Sequence, residues 1–112
     1  MEEQSAIDVR FPEEPMVPDL QSMSMISIEG DLPQHMRLAQ NIFVLVLHED
    51  GEVVVSEPTY HIHGYGSTLE EAKQDFRQVL VDSFELLQED RQVLDSHLQG
   101  QLSYMQSIIV RA

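Results

Sequence analysis

The chain has 112 residues, of which 42% are hydrophobic, and its 20 Asp and Glu against six Lys and Arg give a net charge of −14. A chain of this length can form one modest hydrophobic core. The shortage of Lys and Arg argues against direct binding to nucleic acid or to an anionic membrane. The excess of acids instead favours a basic protein partner. There is no cysteine, which excludes disulfides and thiolate metal sites.

The chain begins with an acidic segment, residues 1–22, that we expect to lie outside the core. It contains six acids and one Arg, with Pro12, Pro15 and Pro18 spaced as in one turn of polyproline II. The composition favours a flexible, solvated arm, and the alternative is a Pro-rich ligand for a partner's groove. The first four residues have neither a basic region nor an apolar one, so we expect a cytoplasmic protein without a secretory signal.

Short extended segments follow the leader. Residues 23–29 predict a strand that ends at Gly30. Residues 34–39 are compatible with one helical turn. Residues 42–47 are apolar at every position, as expected of a central strand covered on both faces. This longest apolar run is far below the ~20 residues of a membrane-spanning helix.

The next three segments predict an antiparallel meander. Asp50 and Gly51 favour a tight turn after the central strand, because Gly readily adopts a positive φ. Residues 53–55 return as a second strand, which Pro58 ends. Residues 59–63 predict the third strand of the meander.

Helical periodicity begins at Leu69. Apolar residues recur at intervals of three and four up to Leu87, which predicts one long helix lying on a sheet. Residues 94–109 continue this spacing and predict a second helix, although Gly100 weakens it by about 1 kcal/mol relative to Ala. A terminal strand over residues 107–111 is the alternative to a helical end, and we favour the helix.

Together these elements predict a single α+β domain over residues 23–112. Its antiparallel sheet has three to four strands, with one long helix on a face and a second helix at the C-terminal end. The helices carry more apolar side chains than one small sheet covers, and exposed apolar area often marks an interface. Either the second helix packs on the first, or the surplus forms a homo-oligomeric or partner-facing surface, which we assign to Val81, Phe84, Leu98, Leu102 and Met105.

The joint between strands and helix is the most distinctive stretch. Gly64 and Gly66 permit a sharp turn, and Ser67 or Thr68 offers an oxygen to cap the helix, with Glu71 completing a capping box. Glycines beside a helix N-terminus resemble half of a phosphate-binding loop. The acids of the first turn would repel a phosphate, so we expect a hinge and helix cap without a cofactor.

His61 and His63 are the candidate metal ligands. On a strand their side chains share one face about 7 Å apart, a spacing at which two imidazoles can share Zn²⁺. A third ligand has to come from elsewhere, with His48 as the candidate, so we favour two ordinary strand histidines and no metal. No Ser or Asp is placed to form a catalytic triad with them, and we assign no catalytic residue.

A strand, an acidic Gly turn, a Pro-ended strand and a Gly-x-Thr-x-Glu-Glu-Ala helix start occur in sequence over about residues 42–87. The residues that carry this order are Glu49-Asp50-Gly51, Val53-Val54-Val55, Pro58, Gly66, Thr68, Glu70, Glu71 and Ala72. In this order and spacing the chain resembles the HicB-like antitoxin family.

The resemblance implies a partial RNase H-like fold and a non-enzymatic protein that binds and masks a small basic RNA-cleaving toxin. RNase H-like nucleases hold Mg²⁺ with acids on the first core strand, and residues 42–47 contain none. We also expect the chain to lack the C-terminal operator-binding module that many relatives carry. The alternative is a solitary oligomerising domain of the same fold without a toxin partner.

Overall fold

A computed structural model describes residues 23–112; the expected leader, residues 1–22, lies outside the described residues. The described part contains seven strands and two helices. In chain order they are β1 (Met23–Ile28), β2 (Asp31–Leu32), β3 (Met36–Leu38), β4 (Ile42–Glu49), β5 (Glu52–Glu57), β6 (Ile62–Gly66), α1 (Leu69–Glu89), α2 (Ser96–Ile108) and β7 (Ile109–Arg111).

The main sheet has four antiparallel strands in the order β1-β4-β5-β6. The last three form the predicted meander, and β1 pairs with the free side of β4. Helix α1 packs on one face of this sheet, chiefly against β6 and β5. The predicted α+β class is therefore confirmed, including the long helix on the sheet and the second helix after it.

The β4–β5 hairpin has the predicted two-residue turn. Asp50 and Gly51 both have positive φ, 51° and 78°, between the paired residues Glu49 and Glu52. Positive φ at both positions is the signature of the type I′ turn, whose twist matches that of the flanking strands. Asp tolerates this conformation better than most residues with a side chain.

The third meander strand begins later than predicted, at Ile62 instead of residue 59. The cause is the buried side chain of Glu57, which accepts hydrogen bonds from the backbone N–H groups of Thr59 (3.2 Å) and Tyr60 (2.9 Å). These bonds hold the chain in a turn. His61, with φ 59°, then leads into the strand.

A second, small sheet replaces the helical turn expected at residues 34–39, so that prediction is wrong. Gln34 and His35 adopt positive φ, 63° and 61°, which a right-handed helix does not accommodate. Residues 36–38 then form β3, which pairs with β2 on one side and β7 on the other. Both alternatives for the C-terminal end occur in part, because α2 ends at Ile108 and a strand follows.

One hydrophobic core joins these parts. It lies between the main sheet and α1 and continues under α2 and the small sheet. Its largest fully buried side chains are Phe76, Ile28, Met36, Leu80, Met105, Ile108, Val44, Val46, Val55 and Val81.

Strand β4 is covered on one face only, which corrects the expectation of a strand buried on both faces. Val44 and Val46 point toward α1 and are buried, whereas Phe43 points the other way and is 67% exposed. Apolar residues at every position are typical of a doubly covered strand. Here the second set of apolar side chains instead forms the outer face of the sheet.

Candidate functional surfaces

The glycines of the joint serve close packing and not a sharp turn. Neither Gly64 nor Gly66 has a positive φ, and both belong to β6. A Cβ added to Gly64 would lie 2.3 Å from the backbone nitrogen of Phe76 and 2.5 Å from the carbonyl oxygen of Ala72. A Cβ on Gly66 would lie 2.6 Å from the Ala72 nitrogen. The two glycines therefore let the backbone of α1 rest directly on β6.

The predicted helix cap is present at Thr68. Its Oγ1 accepts a hydrogen bond from the N–H of Glu71 at 3.1 Å. The carboxylate of Glu71 reaches back to Ser67, accepting from the backbone N–H at 2.9 Å and from Oγ at 2.7 Å. These bonds to Ser67 lower the pKa of Glu71 below its ordinary value. Each residue of the cap thus has a structural partner within the joint.

Asp75 adds a contact that the sequence analysis missed. Its Oδ2 accepts a hydrogen bond from the backbone N–H of Tyr65 at 2.8 Å, across the outer edge of β6. An edge strand exposes unpaired N–H and C=O groups that can pair with another chain. Asp75 occupies one of these groups, so this edge of the sheet is partly blocked.

The two candidate metal ligands lie near each other, but without a third. The rings of His61 and His63 have centroids 6.4 Å apart. His48 sits opposite Val53, whereas His63 sits opposite Ser56, so His48 belongs to a different part of the sheet. Within residues 23–112 there is no group of three or more His, Cys, Asp or Glu arranged to hold a metal ion.

An aromatic cluster closes the end of the domain near α2. Tyr60 packs between Tyr104 (ring centroids 5.3 Å apart) and His97 (5.8 Å). Burial raises the pKa of Tyr104, and the neighbouring Glu57 and Tyr60 add to the increase. Because this cluster joins the β5–β6 turn to a helix more than thirty residues away, no local spacing in the sequence pointed to it.

The side chains that we assigned to a partner surface lie in the protein's own core. Val81 and Met105 are fully buried, Leu102 and Phe84 nearly so, and Leu98 is half-buried. They pack where α2 meets α1 and the small sheet. The alternative of internal packing therefore accounts for them, and a partner would have to displace α2 to reach them.

The exposed side of α1 carries a row of acids. Six positions of α1, spaced three or four residues apart, lie on one side of the helix and extend over about 27 Å. They are opposite the buried stripe that includes Phe76 and Leu80. Five of the six residues are acidic: Glu71, Asp75, Gln78, Asp82, Glu85 and Glu89.

The C-terminal half of this row lies at the helix end where negative charge is disfavoured, and Arg111 lines the same surface pocket as Glu85 and Glu89. Asp82, Glu85 and Glu89 are exposed, and the last turn of α1 contains no basic residue. Neighbouring like charges repel, and acids near a helix C-terminus interact unfavourably with the helix dipole. Among the residues that the structure describes, the single ion pair is Lys73–Glu70 at 3.3 Å, in the first turn. We call Asp82, Glu85 and Glu89 the acidic row.

Comparisons of the chain with protein-family models, with curated proteins and with solved structures found no match. In the described part of the chain, neither helix has both the length and the apolar character needed to cross a membrane.

Proposed function

We propose that this protein is a non-enzymatic antitoxin of the HicB-like type, which binds and neutralises a small basic RNA-cleaving toxin. The observation that carries the proposal is the acidic row on α1. The motif at residues 66–72 supports it, because it is the part of the sequence that resembles the family. RNA-cleaving toxins bind a polyanion, so their working surface is basic, and an acidic protein can compete for that surface.

The acidic row is better placed to bind a basic toxin than the two acids at the joint, Glu71 and Asp75. Glu71 and Asp75 accept hydrogen bonds from backbone N–H groups of the joint. Asp82 and Glu85 accept hydrogen bonds only from side-chain amides, those of Gln78 at 2.9 Å and Gln34 at 2.6 Å. None of the three acids of the row forms an ion pair with a described residue. A basic partner would relieve the repulsion within the row and its unfavourable position on the helix dipole. We therefore place the toxin against the C-terminal half of α1.

The test begins with the isolation of a toxin. The tagged full-length chain is expressed in its native cell, and a co-purifying basic protein of fewer than about 100 residues is identified. That protein should cleave RNA alone and stop cleaving when the chain is added at equimolar concentration. The absence of such a partner, or a partner whose RNA cleavage continues, overturns the proposal.

A matched pair of variants then locates the contact. Asp82→Asn/Glu85→Gln/Glu89→Gln removes three charges from the acidic row, and Glu29→Gln/Glu49→Gln/Glu52→Gln removes three exposed charges elsewhere. We expect the first variant to weaken toxin binding at least tenfold and the second to change it less than threefold. Equal effects would mean that net charge alone attracts the toxin.

The second candidate function is a solitary oligomerising domain without a toxin. The observation in its favour is the apolar outer face of the main sheet, on which Phe43 and Met25 are about two-thirds exposed. Oligomerisation without any basic partner is the expected result for this candidate. The isolation experiment separates it from the first.

A further inference from the structure

Strand β1 forms the less protected of the two edges of the main sheet. At the other edge, Asp75 accepts a hydrogen bond from the backbone N–H of Tyr65. Strand β1 contains neither a charged residue nor a proline, which are the usual devices that keep an edge strand from pairing. Among the described residues, no strand other than β4 pairs with it. Its outer side therefore offers a row of backbone N–H and C=O groups to a further strand.

The side chains of β1 on the outer face of the sheet are also poorly covered. They belong to Met23, Met25 and Ser27, which pair with the outward residues of β4. Met25 is 65% exposed, and Phe43, one row away on β4, is 67% exposed. Side chains on neighbouring strands stabilise a sheet through direct cross-strand contacts. A strand added beside β1 would therefore bury apolar surface as well as satisfy backbone groups.

The acidic leader contains a segment with the pattern of such a strand. Residues 7–11 alternate between apolar and charged side chains: Ile7, Asp8, Val9, Arg10 and Phe11. A period of two places the apolar side chains on one face of a strand and the two opposite charges on the other. Pro12 follows directly, and because proline cannot donate a hydrogen bond to a sheet, it ends the segment.

We propose that residues 7–11 pair antiparallel with the free edge of β1 in the same chain and form a fifth strand of the main sheet. The register that sets Val9 opposite Met25 places all three apolar side chains of the segment on the outer face, because both strands alternate with the same period. This register also sets Phe11 opposite Met23. The inference depends on neither of the two candidate functions.

The connection to β1 selects the leader as the occupant of this edge. Residues 12–22 join the segment to β1, and with Phe11 opposite Met23 they have to span only the ~4.8 Å between neighbouring strands. A connection of this length closes such a loop at modest entropic cost. Because the segment is tethered, its effective concentration at the edge is on the order of millimolar, whereas a separate molecule loses translational and rotational freedom on binding.

The charges of the segment also suit this edge. Asp8 and Arg10 cancel, and β1 is uncharged, so the two strands do not repel each other. The other acids of the leader lie outside the segment. A second copy, by contrast, would bring a further net charge of −14 to the edge. A basic partner finds no acid on β1 to attract it.

The pairing can be tested with introduced cysteines, because the chain contains none. In full-length Val9→Cys/Met25→Cys, the two thiols lie on the same face of neighbouring strands, where a disulfide can form. In the control, Asp8→Cys/Met25→Cys, the thiols lie on opposite faces of the sheet. In a glutathione redox buffer, we expect the first variant to form a disulfide within one chain about tenfold faster than the control.

Two results of this experiment overturn the proposal. Similar rates for the two variants mean that the leader does not hold one face toward β1, because positions 8 and 9 are neighbours in sequence. Disulfides that join two chains, detected by their mass on a non-reducing gel and formed faster at higher protein concentration, mean that the occupant of the edge is a second copy.

A second measurement keeps Met25 in place. Hydrogen peroxide should oxidise Met25 about threefold faster in Val9→Asp/Phe11→Asp than in the wild-type chain, because the new acids disfavour an apolar face. Gln4→Asp/Ser5→Asp adds the same two charges outside the segment and should leave the rate unchanged. Mass spectrometry of the Met25 peptide at one low protein concentration gives the three rates. Equal rates in all three chains would show that the segment does not cover Met25 and would overturn the proposal.

Discussion

Replacing Gly64 with Ala tests whether α1 rests directly on β6. The added Cβ would lie 2.3 Å from the Phe76 nitrogen, and ordinary van der Waals contact starts at 3.4 Å. The helix therefore has to move away by about 1 Å. The atoms in the way belong to the helix backbone, so no side-chain rotation relieves the clash.

The expected loss of stability follows from the contacts that the movement of α1 would weaken. Ala72, Phe76 and Leu80 are fully buried between helix and sheet. A gap of 0.5–1 Å reduces the van der Waals attraction of each contact by roughly a quarter to a half. Full burial of Phe or Leu contributes about 1.5–3 kcal/mol, and overpacking strain commonly costs about 1–3 kcal/mol. We expect Gly64→Ala to lower the free energy of unfolding by about 3 kcal/mol.

Gly100→Ala is the matched control, because it makes the same change inside a helix with room for it. The nearest atom to the added Cβ is the Tyr60 hydroxyl oxygen at 3.6 Å. Here the higher helix propensity of Ala should stabilise the protein by about 1 kcal/mol.

Urea denaturation followed by circular dichroism measures both variants. With an m-value of about 1.5 kcal/mol/M, the midpoint should fall by about 2 M for Gly64→Ala and rise by about 0.7 M for Gly100→Ala. A midpoint for Gly64→Ala within about 0.3 M of wild type would refute the direct contact of helix and strand.

Three further predictions concern the cap and the aromatic cluster. Thr68→Ala should lower the free energy of unfolding by about 1 kcal/mol, measured by urea denaturation, because the N–H of Glu71 loses its acceptor. The pKa of Glu71 is lowered in the folded state. Its carboxylate therefore stabilises the fold at pH values above its ordinary pKa of 4.5, and this stabilisation is lost as the pH falls below 4.5. Glu71→Gln should make the free energy of unfolding less dependent on pH on the acid side. The pKa of Tyr104 is raised, so folding stability should fall as the pH rises above its ordinary value of 10.0; Tyr104→Phe should reduce that loss, and an unchanged alkaline limb would contradict the assignment.

The sequence was most informative where local rules and tertiary packing agree. The type I′ turn at Asp50 and Gly51, the cap at Thr68 and the period of α1 are each determined by neighbouring residues. These features placed the long helix to within two residues, whereas the third meander strand was predicted three residues too early.

The predictions that the structure corrected share a different cause. The extent of β3 depends on its pairing with β7, whose residues are more than seventy positions away. The apolar run at residues 42–47 of β4 is the same in sequence whether the second face of the strand is buried or exposed. Val81 and Phe84 looked surplus because the sequence did not show that α2 folds back over them.

The acidic row faces outward from α1, on the side opposite the buried stripe that includes Phe76 and Leu80. Because salt screens the attraction between this row and a basic toxin, raising the ionic strength should weaken toxin binding. The variant Asp82→Asn/Glu85→Gln/Glu89→Gln should show a smaller change in affinity with salt than the wild-type chain, because it has lost the charges that salt screens. A toxin affinity that does not change with ionic strength would contradict a contact made through the acidic row.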